Sequence, residues 1–546
     1  MYASATHPDP GLPAQRRLRA APPCAVAALL ALVASASVQA DMPENALDAP
    51  WNPPYLTSLD DDPYGTDPAF NHGLYYRDDF AVNLLGANQS SRAFKTAKLS
   101  DGSFVVAALV KNPAGNQTNG YWNLGLLRYS ATGQRLQWSN PDSAYAHFND
   151  EYVVYPKSPT VHYRHIRDVK AIDGHIVVLL ENQFAGGSDT DALVAVFGED
   201  GSHKDTESAF QTSSADFAGG LAVYRTLAIG SIPQVLVTGS VQQASGIRRP
   251  YFSRFDLESD GSLTRRIGPK VLNTHWCDDA SRDCRPAGIA LGNRGLFSAP
   301  SIYVVNRYYQ TATDQQGWSI AITKITSNGD ADPDWPGLWW YNTEDGSGGA
   351  HYVWPVDIAV KTTGLGLPSS PYRDQIYVIS EFGRSCGNGV LASRFDENHG
   401  YVEWAIFGGS AASGALCSAI GSPADYPHAV AIDGNRLAIV GHGTYEPLAI
   451  PGQPVPEPVT DAWVAVADIS DGGLAIRDMR DFSYVNADNR THHSGLWGIA
   501  SAGSGRFVVT GDGRYKESDA AVFAGKQFML TLGIAPDRIF GDGFED

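Results

Sequence analysis

Ser301-Ile302-Tyr303-Val304-Val305, a polar loop, and then Trp318-Ser319-Ile320-Ala321-Ile322-Thr323-Lys324-Ile325 decide how this chain is read. A turn at Ser327-Asn328-Gly329 and an aromatic run, Leu338-Trp339-Trp340-Tyr341, complete the phrase. The runs have strand length, are rich in β-branched and aromatic residues, and are punctuated by turn chemistry. The first run recurs along the chain. Its copies start at Phe104, Ile176, Val235, Ile302, Ile376, Leu437 and Phe507, at intervals of 72, 59, 67, 74, 61 and 70 residues. Recurrence with elastic spacing is expected when strands are kept and loops vary. The copies are almost continuously apolar, as strands covered on both faces are.

Each copy is preceded by a short apolar segment: Thr96 to Leu99, Val169 to Ile172, Leu227 to Ile229, Ile289 to Leu291, Ile358 to Val360, Val430 to Ile432 and Trp497 to Ala500. Asp101-Gly102, Asp173-Gly174 and Asp433-Gly434 join three of these pairs as hairpin turns. A third strand follows each copy, from Leu124-Tyr129 through to Phe528-Leu532, and most run into a glycine turn. A fourth, weaker strand is clearest at Trp339 to Tyr341 and Tyr401 to Trp404. Weak patterning suits an outer, half-exposed edge. The seventh unit has no fourth strand of its own, whereas Leu74-Tyr75-Tyr76-Arg77 is a fourth strand without its first three. Pairing that segment beside Phe528-Leu532 would remove both open edges. The expectation is therefore all-β: a seven-bladed β-propeller of four-stranded antiparallel blades, its ring closed by an N-terminal strand. Six blades, eight blades or a linear array are the alternatives.

The 546 residues, 56 Gly, 33 Pro and 43% hydrophobic content accommodate such an architecture. Residues 1–40 read as an export signal. Arg16, Arg17 and Arg19 are followed by the apolar Ala25 to Val33 and by Val38-Gln39-Ala40, a small-residue cleavage pattern. Residues 41–66 read as a linker, 67–534 as the propeller and 535–546 as an acidic tail. Without residues 1–40 the net charge is −21: the whole chain carries −19, and the segment removed carries three Arg and one Asp, +2. That surface excludes nucleic acid and anionic membrane as natural partners, and the chain beyond the signal holds no integral membrane segment. Four cysteines remain. Cys277 and Cys284 close a short loop and are expected to pair, leaving Cys386 with Cys417. No C-x-x-C spacing points to zinc.

Leu126-Leu127-Arg128-Tyr129-Ser130-Ala131-Thr132-Gly133, and Ile322 through Gly329 with Asp332-Pro333-Asp334-Trp335, resemble the bacterial delta-60 repeat. Asp67-Pro68-Ala69-Phe70 resembles the end of that repeat. The resemblance covers two or three units, implies an exported propeller-like protein, and implies no defined activity. Asp537 to Glu545 resembles the ending of exported proteins from relatives of Xanthomonas and Lysobacter.

The chain has no G-x-S-x-G elbow, H-E-x-x-H helix or P-loop. What remains are polar residues at the starts of the first strands: Arg92, His165, Arg167, Tyr224, Arg285, Tyr352, His428 and the pair His492-His493. At a channel mouth such groups converge from every blade, and Arg92, His165, Arg167, Arg285, His428, His492 and His493 are the candidate ligand-binding set. Asp330, Asp332 and Asp334 alternate after a turn, like the beginning of a Ca²⁺ loop, but no bidentate Glu follows at the twelfth position. Ca²⁺ is the one cofactor the sequence suggests. Asp60-Asp61-Asp62 is a cruder cluster. The functional expectation is a binding or surface-interaction protein for a glycan or protein ligand. The alternative is a secreted hydrolase or lyase working at the channel mouth, and a quinone-dependent dehydrogenase is a third reading. Convergent His, Arg and carboxylate groups would favour the enzyme; a shallow, uncharged, aromatic face would favour binding.

Overall fold

The computed structural model describes residues 76–78 and 91–534, except 112–121, 144, 148–149, 156–160, 185–189, 211, 273–276, 278–282, 293–298, 311–316, 336–337, 341–351, 365–369, 385–386, 398–399, 408–423, 446–458, 471–472, 483–492 and 515–526. The expected signal, linker and tail lie outside these residues, as do His492, Cys386, Cys417 and the cluster at Asp60. All described residues belong to one compact unit, Ala40–Asp546.

The protein is an all-β propeller. After β1 (Tyr76–Asp78), the first sheet comprises β2 (Ser91–Lys98), β3 (Phe104–Lys111), β4 (Trp122–Tyr129), β5 (Arg135–Leu136), β6 (Ala146–His147) and β7 (Tyr152–Tyr155). Three four-stranded sheets follow. They are β8 (Val161–Ile172), β9 (His175–Phe184), β10 (Thr190–Gly198) and β11 (His203–Ser208); β12 (Asp216–Tyr224), β13 (Gln234–Gln242), β14 (Arg248–Leu257) and β15 (Leu263–Val271); and β16 (Cys284–Gly292), β17 (Ser301–Gln310), β18 (Gly317–Ile325) and β19 (Leu338–Trp340). The last sheet has twelve strands: β20 (Tyr352–Thr363), β21 (Arg373–Arg384), β22 (Gly387–Asp396), β23 (Gly400–Phe407), β24 (Ala424–Asp433), β25 (Arg436–Tyr445), β26 (Val459–Asp468), β27 (Ala475–Phe482), β28 (His493–Gly503), β29 (Arg506–Arg514) and β30 (Gln527–Ile534), with β1 at its edge.

Among the described residues hydrogen bonding thus gives five sheets, where seven separate blades were expected. The twelve-stranded sheet is fused by single parallel bridges, Asn388 with Ala424 and Thr460 with His493, between otherwise antiparallel groups. Repeat spacing reports strands and says nothing of such bridges, which form where two neighbouring groups touch at one residue. β1 pairs antiparallel with β30, Tyr76 opposite Thr531 and Asp78 opposite Met529. One first strand was misread. Leu227 and Ile229 lie in an exposed turn, and the strand is β12, whose Leu221 and Ala222 are buried. A short apolar run has no periodicity long enough to tell a strand from its turn.

The core lies between sheets. Val105, Ala107 and Leu109 of β3 pack with Val169, Ile176 and Val178, while Val106, Ala108 and Val110 pack with Phe94 and Trp497 on the other side. Alternate side chains leave opposite faces of a strand, so a strand covered on both faces is apolar at every position. The first strands of the groups neighbour one another in the cycle β2, β8, β12, β16, β20, β24, β28 and back to β2. They come close at small residues. A Cβ built on Gly220 would lie 2.8 Å from the backbone nitrogen of Ile289, and one on Gly498 would lie 2.9 Å from Cα of Lys95. The expected Cys277–Cys284 disulfide is present and fully buried beside Tyr308.

Candidate functional site

Each of these seven first strands carries a β-bulge near its start. The register against its neighbour slips between Arg92 and Lys95, Ile166 and Asp168, Ala218 and Gly220, Pro286 and Gly288, Pro355 and Asp357, Pro427 and Ala429, and Leu496 and Gly498. A bulge places two residues opposite one and re-aims a side chain. The residues skipped by the ladder include Phe94, Arg167, Gly219, Ala287, Val356, His428 and Trp497, and all seven line one cavity of about 620 Å³. Three of the bulges begin with proline, which has no N–H to give to the ladder and is tolerated there.

The cavity is cationic in an acidic protein. Lys95, Arg164, Arg167, Arg248, Arg285 and Arg307 line it, against the carboxylates of Glu381 and Asp512. Arg167 is paired with Glu181 at 3.0 Å, and Arg285 with Asp283. Arg248 lies over the Phe217 ring with its guanidinium carbon 3.4 Å from the centroid. Arg307 lies over Trp354 at 4.3 Å and donates its Nε–H to the Pro355 carbonyl at 2.7 Å. Among the described residues, no carboxylate stands within ion-pair distance of Arg248 or Arg307. Burial, followed by repulsion from Arg167 and Arg285, lowers Arg307 to about 9. Burial and repulsion from Arg285 lower Arg248 to about 10. Both remain charged at neutral pH, and an anion placed between them would relieve the repulsion.

Another part of the lining is a row of near-parallel rings. Tyr426 stacks on His442 (centroids 4.9 Å), His442 and His428 meet edge to edge in near-parallel planes (4.8 Å), and His428 stacks on Trp497 (3.9 Å). Nε2 of His428 and Nδ1 of His442 are 2.6 Å apart and share one proton. Burial lowers His442 to about 4 and pushes His428 well down, with His442 and Lys95 adding repulsion to His428. The Asn388 amide donates to Glu381 at 2.8 Å and to the Tyr426 hydroxyl at 3.4 Å. The Trp497 indole N–H donates to Asp512.

A second cavity, of about 60 Å³, adjoins the first through Lys95, Arg167 and His428 and is lined also by Asp168, Lys170 and Asp357. Lys95 donates to the Trp497 carbonyl at 2.8 Å. Lys170 pairs with Asp168 at 2.9 Å, and Asp357 accepts from the backbone of Val430 at 3.0 Å and of Ile358 at 2.9 Å. Burial raises Asp357 and lowers Lys95. The charged groups of the smaller cavity are thus paired or hydrogen-bonded among themselves and to backbone.

Of the sequence candidates, the cavity brings together His165, Arg167, Arg285 and His428. Arg92 and His493 belong to β2 and β28, but their side chains, like that of Tyr352, lie outside the described residues. Tyr224 is corrected: it ends β12 at the far end of the strand, a consequence of misplacing that strand at Leu227. The three aspartates are engaged in their turn. Asp330 pairs with Lys270 at 2.6 Å, Asp332 lies 3.6 Å from Lys324, and the Asp334 backbone N–H donates to Asp332 at 3.1 Å. Among the described residues no group of three or more His, Cys, Asp or Glu is placed to hold a metal ion. Lys95, Arg248, Arg307, Trp354, Tyr426 and His442 were missed, because they stand on strands read only for their apolar partners. One signal was available: Pro286-Ala287, Pro355-Val356 and Pro427-His428 occur at the same offset before their apolar segments.

No protein-family model and no curated protein matches the chain. Among solved structures it is similar to a protein of unknown function from Dyadobacter fermentans DSM 18053, at 11% identity over 83% of this chain and 96% of that one, with a TM-score of 0.35. It is also similar to a Penicillium chrysogenum alpha-L-arabinanase complexed with arabinobiose, at 9% identity over 70% and 94% of the two chains, TM-score 0.32. A leech intramolecular trans-sialidase matches at 10% identity over 86% and 71%, TM-score 0.34. Likenesses this distant carry no information about a ligand.

Proposed function

We propose that this is an exported propeller whose central cavity binds an acidic saccharide. The observation that carries this reading is the convergence of six cationic side chains from five strands on one cavity of about 620 Å³ in a chain of net charge −19. Guanidinium groups match carboxylate geometry, and the cavity volume suits a small oligosaccharide. Trp354 and Trp497 add flat apolar faces to the lining. The buried disulfide, and the lack among the described residues of a helix long and apolar enough to cross a membrane, are compatible with export. We also read each first strand with the antiparallel strands behind it as one blade, seven in all: six groups of four, the last completed by β1, and the six-stranded first sheet; the cycle of seven first strands and the β1–β30 pairing support that count.

Calorimetric titration tests the reading. Oligouronates are expected to bind, with affinity falling as salt rises, and neutral oligosaccharides of equal length are not. Arg307→Met should weaken binding at least about tenfold without lowering the melting temperature, because it removes a buried cation that repels its neighbours. Equal affinity for neutral and acidic oligomers, or no binding of any oligouronate, would overturn the reading.

A further inference from the structure

We propose that Tyr426 and His442 form a catalytic pair that cleaves 1,4-linked uronates of gluco or manno configuration by β-elimination. This rests on the acidic-saccharide reading above. It also follows the discriminating feature set out from the sequence, since His, Arg and carboxylate groups do converge on one cavity.

The two residues stand directly opposite one another on β24 and β25, with stacked rings. His442 faces His428 through a short N–H···N contact. With the shared proton on Nδ1 of His442, its Nε2 keeps a lone pair, and His428 accepts the hydrogen bond that steadies the ring when that lone pair takes a proton. Burial keeps both imidazoles neutral, so the base is in its working form at neutral pH. Tyr426 receives its hydrogen bond from Asn388, which leaves its own O–H to donate to a leaving oxygen. The guanidinium groups of Arg248 and Arg307, on the same cavity, would hold the uronate carboxylate and neutralise it, which acidifies the C5–H beside it. Glu381 and Asp512 are engaged by Asn388 and the Trp497 indole, so elimination suits the wall better than hydrolysis by a carboxylate pair.

The step balances without a redox partner. His442 takes the C5 proton, and the C5–H electron pair becomes the C4=C5 double bond. The C4–O4 bond breaks with its electron pair on O4, and Tyr426 gives O4 a proton. The products are a new hydroxyl end and an unsaturated uronate, and solvent returns the proton from His442 to Tyr426. Base and acid sit side by side and reach one face of the sugar. They therefore serve uronates whose H5 and O4 share a face, the gluco and manno series, and not the galacto series, in which these groups lie on opposite faces.

The test combines calorimetry with the ultraviolet absorbance of the conjugated product, using oligomannuronate and oligogalacturonate of equal length. Both are expected to bind, and only oligomannuronate to gain absorbance. His442→Gln and Tyr426→Phe should each slow the gain at least about 100-fold, with dissociation constants within about threefold of the parent and melting transitions retained. A substrate deuterated at C5 should react more slowly. Binding of both without absorbance would overturn the elimination and leave the saccharide reading standing. No binding of either would overturn both. Equal cleavage of the two oligomers, or full activity in either variant, would overturn the pairing of roles.

Discussion

Acid should destabilise this protein through the His428–His442 pair, and by an amount the structure allows to be worked out. An imidazole has an ordinary value of 6.5, and burial lowers His442 to about 4. Between these values the unfolded chain takes up a proton that the folded chain refuses. Stability from this group is therefore complete above about pH 6.5 and drains away as the pH falls toward 4. For one such group the loss is about 2 kcal/mol at roughly pH 5, and it approaches about 3 kcal/mol once the pH is below both values. His428 is shifted the same way, with Lys95 of β2 and His442 of β25 opposing its charge. The carboxyl of Asp357, raised by burial, works in the other direction, because the folded chain takes up its proton more readily. Glu381 and Asp512 also face the cavity, so the parent alone is not a clean readout. The assay is urea unfolding at about pH 7.5 and about pH 5 for the parent and for His428→Gln combined with His442→Gln. The parent should lose at least about 2 kcal/mol more than the double variant between the two conditions. Parallel losses would refute the argument that the fold holds these rings neutral.

Two further outcomes test the architecture. Gly220→Ala should cost about 1–3 kcal/mol, because the new methyl would meet the Ile289 backbone at 2.8 Å and neither strand can yield; unfolding midpoints measure it, and an unchanged midpoint would show that the ring adjusts. Deleting residues 67–80 removes β1 and bares the edge of β30. It should cost about 2 kcal/mol or more, and a melting temperature equal to the parent's would show that the β1 pairing contributes nothing.

Local chemistry made the strands legible. Phe104 to Ala108 and Ile176 to Leu180 are apolar at every position because both their faces are covered, and Asp101-Gly102 and Asp173-Gly174 mark their hairpins whatever lies elsewhere in the chain. The same local reading failed at Leu227 and Ile229, where an apolar turn stands in solvent, and it did not foresee the bridges that fuse the last sheet. It found the Cys277–Cys284 bridge, since that pair lies close along the chain.

By itself, then, the sequence determined the repeated strands, the turns between them and the acidic balance of the chain, all properties of neighbouring residues. The tertiary structure decided the site. Lys95 and Trp497, 402 positions apart, meet only because the first strands run in a cycle. Arg307 and His442 share a cavity because strands far apart in the chain lie around one axis of that cycle, while the bulges of the first strands turn Arg167, His428 and Trp497 into the same space. The charge of that cavity is a sum over strands that no local stretch contains, so a cationic pocket inside an acidic chain can be read only once the ring of strands is in place.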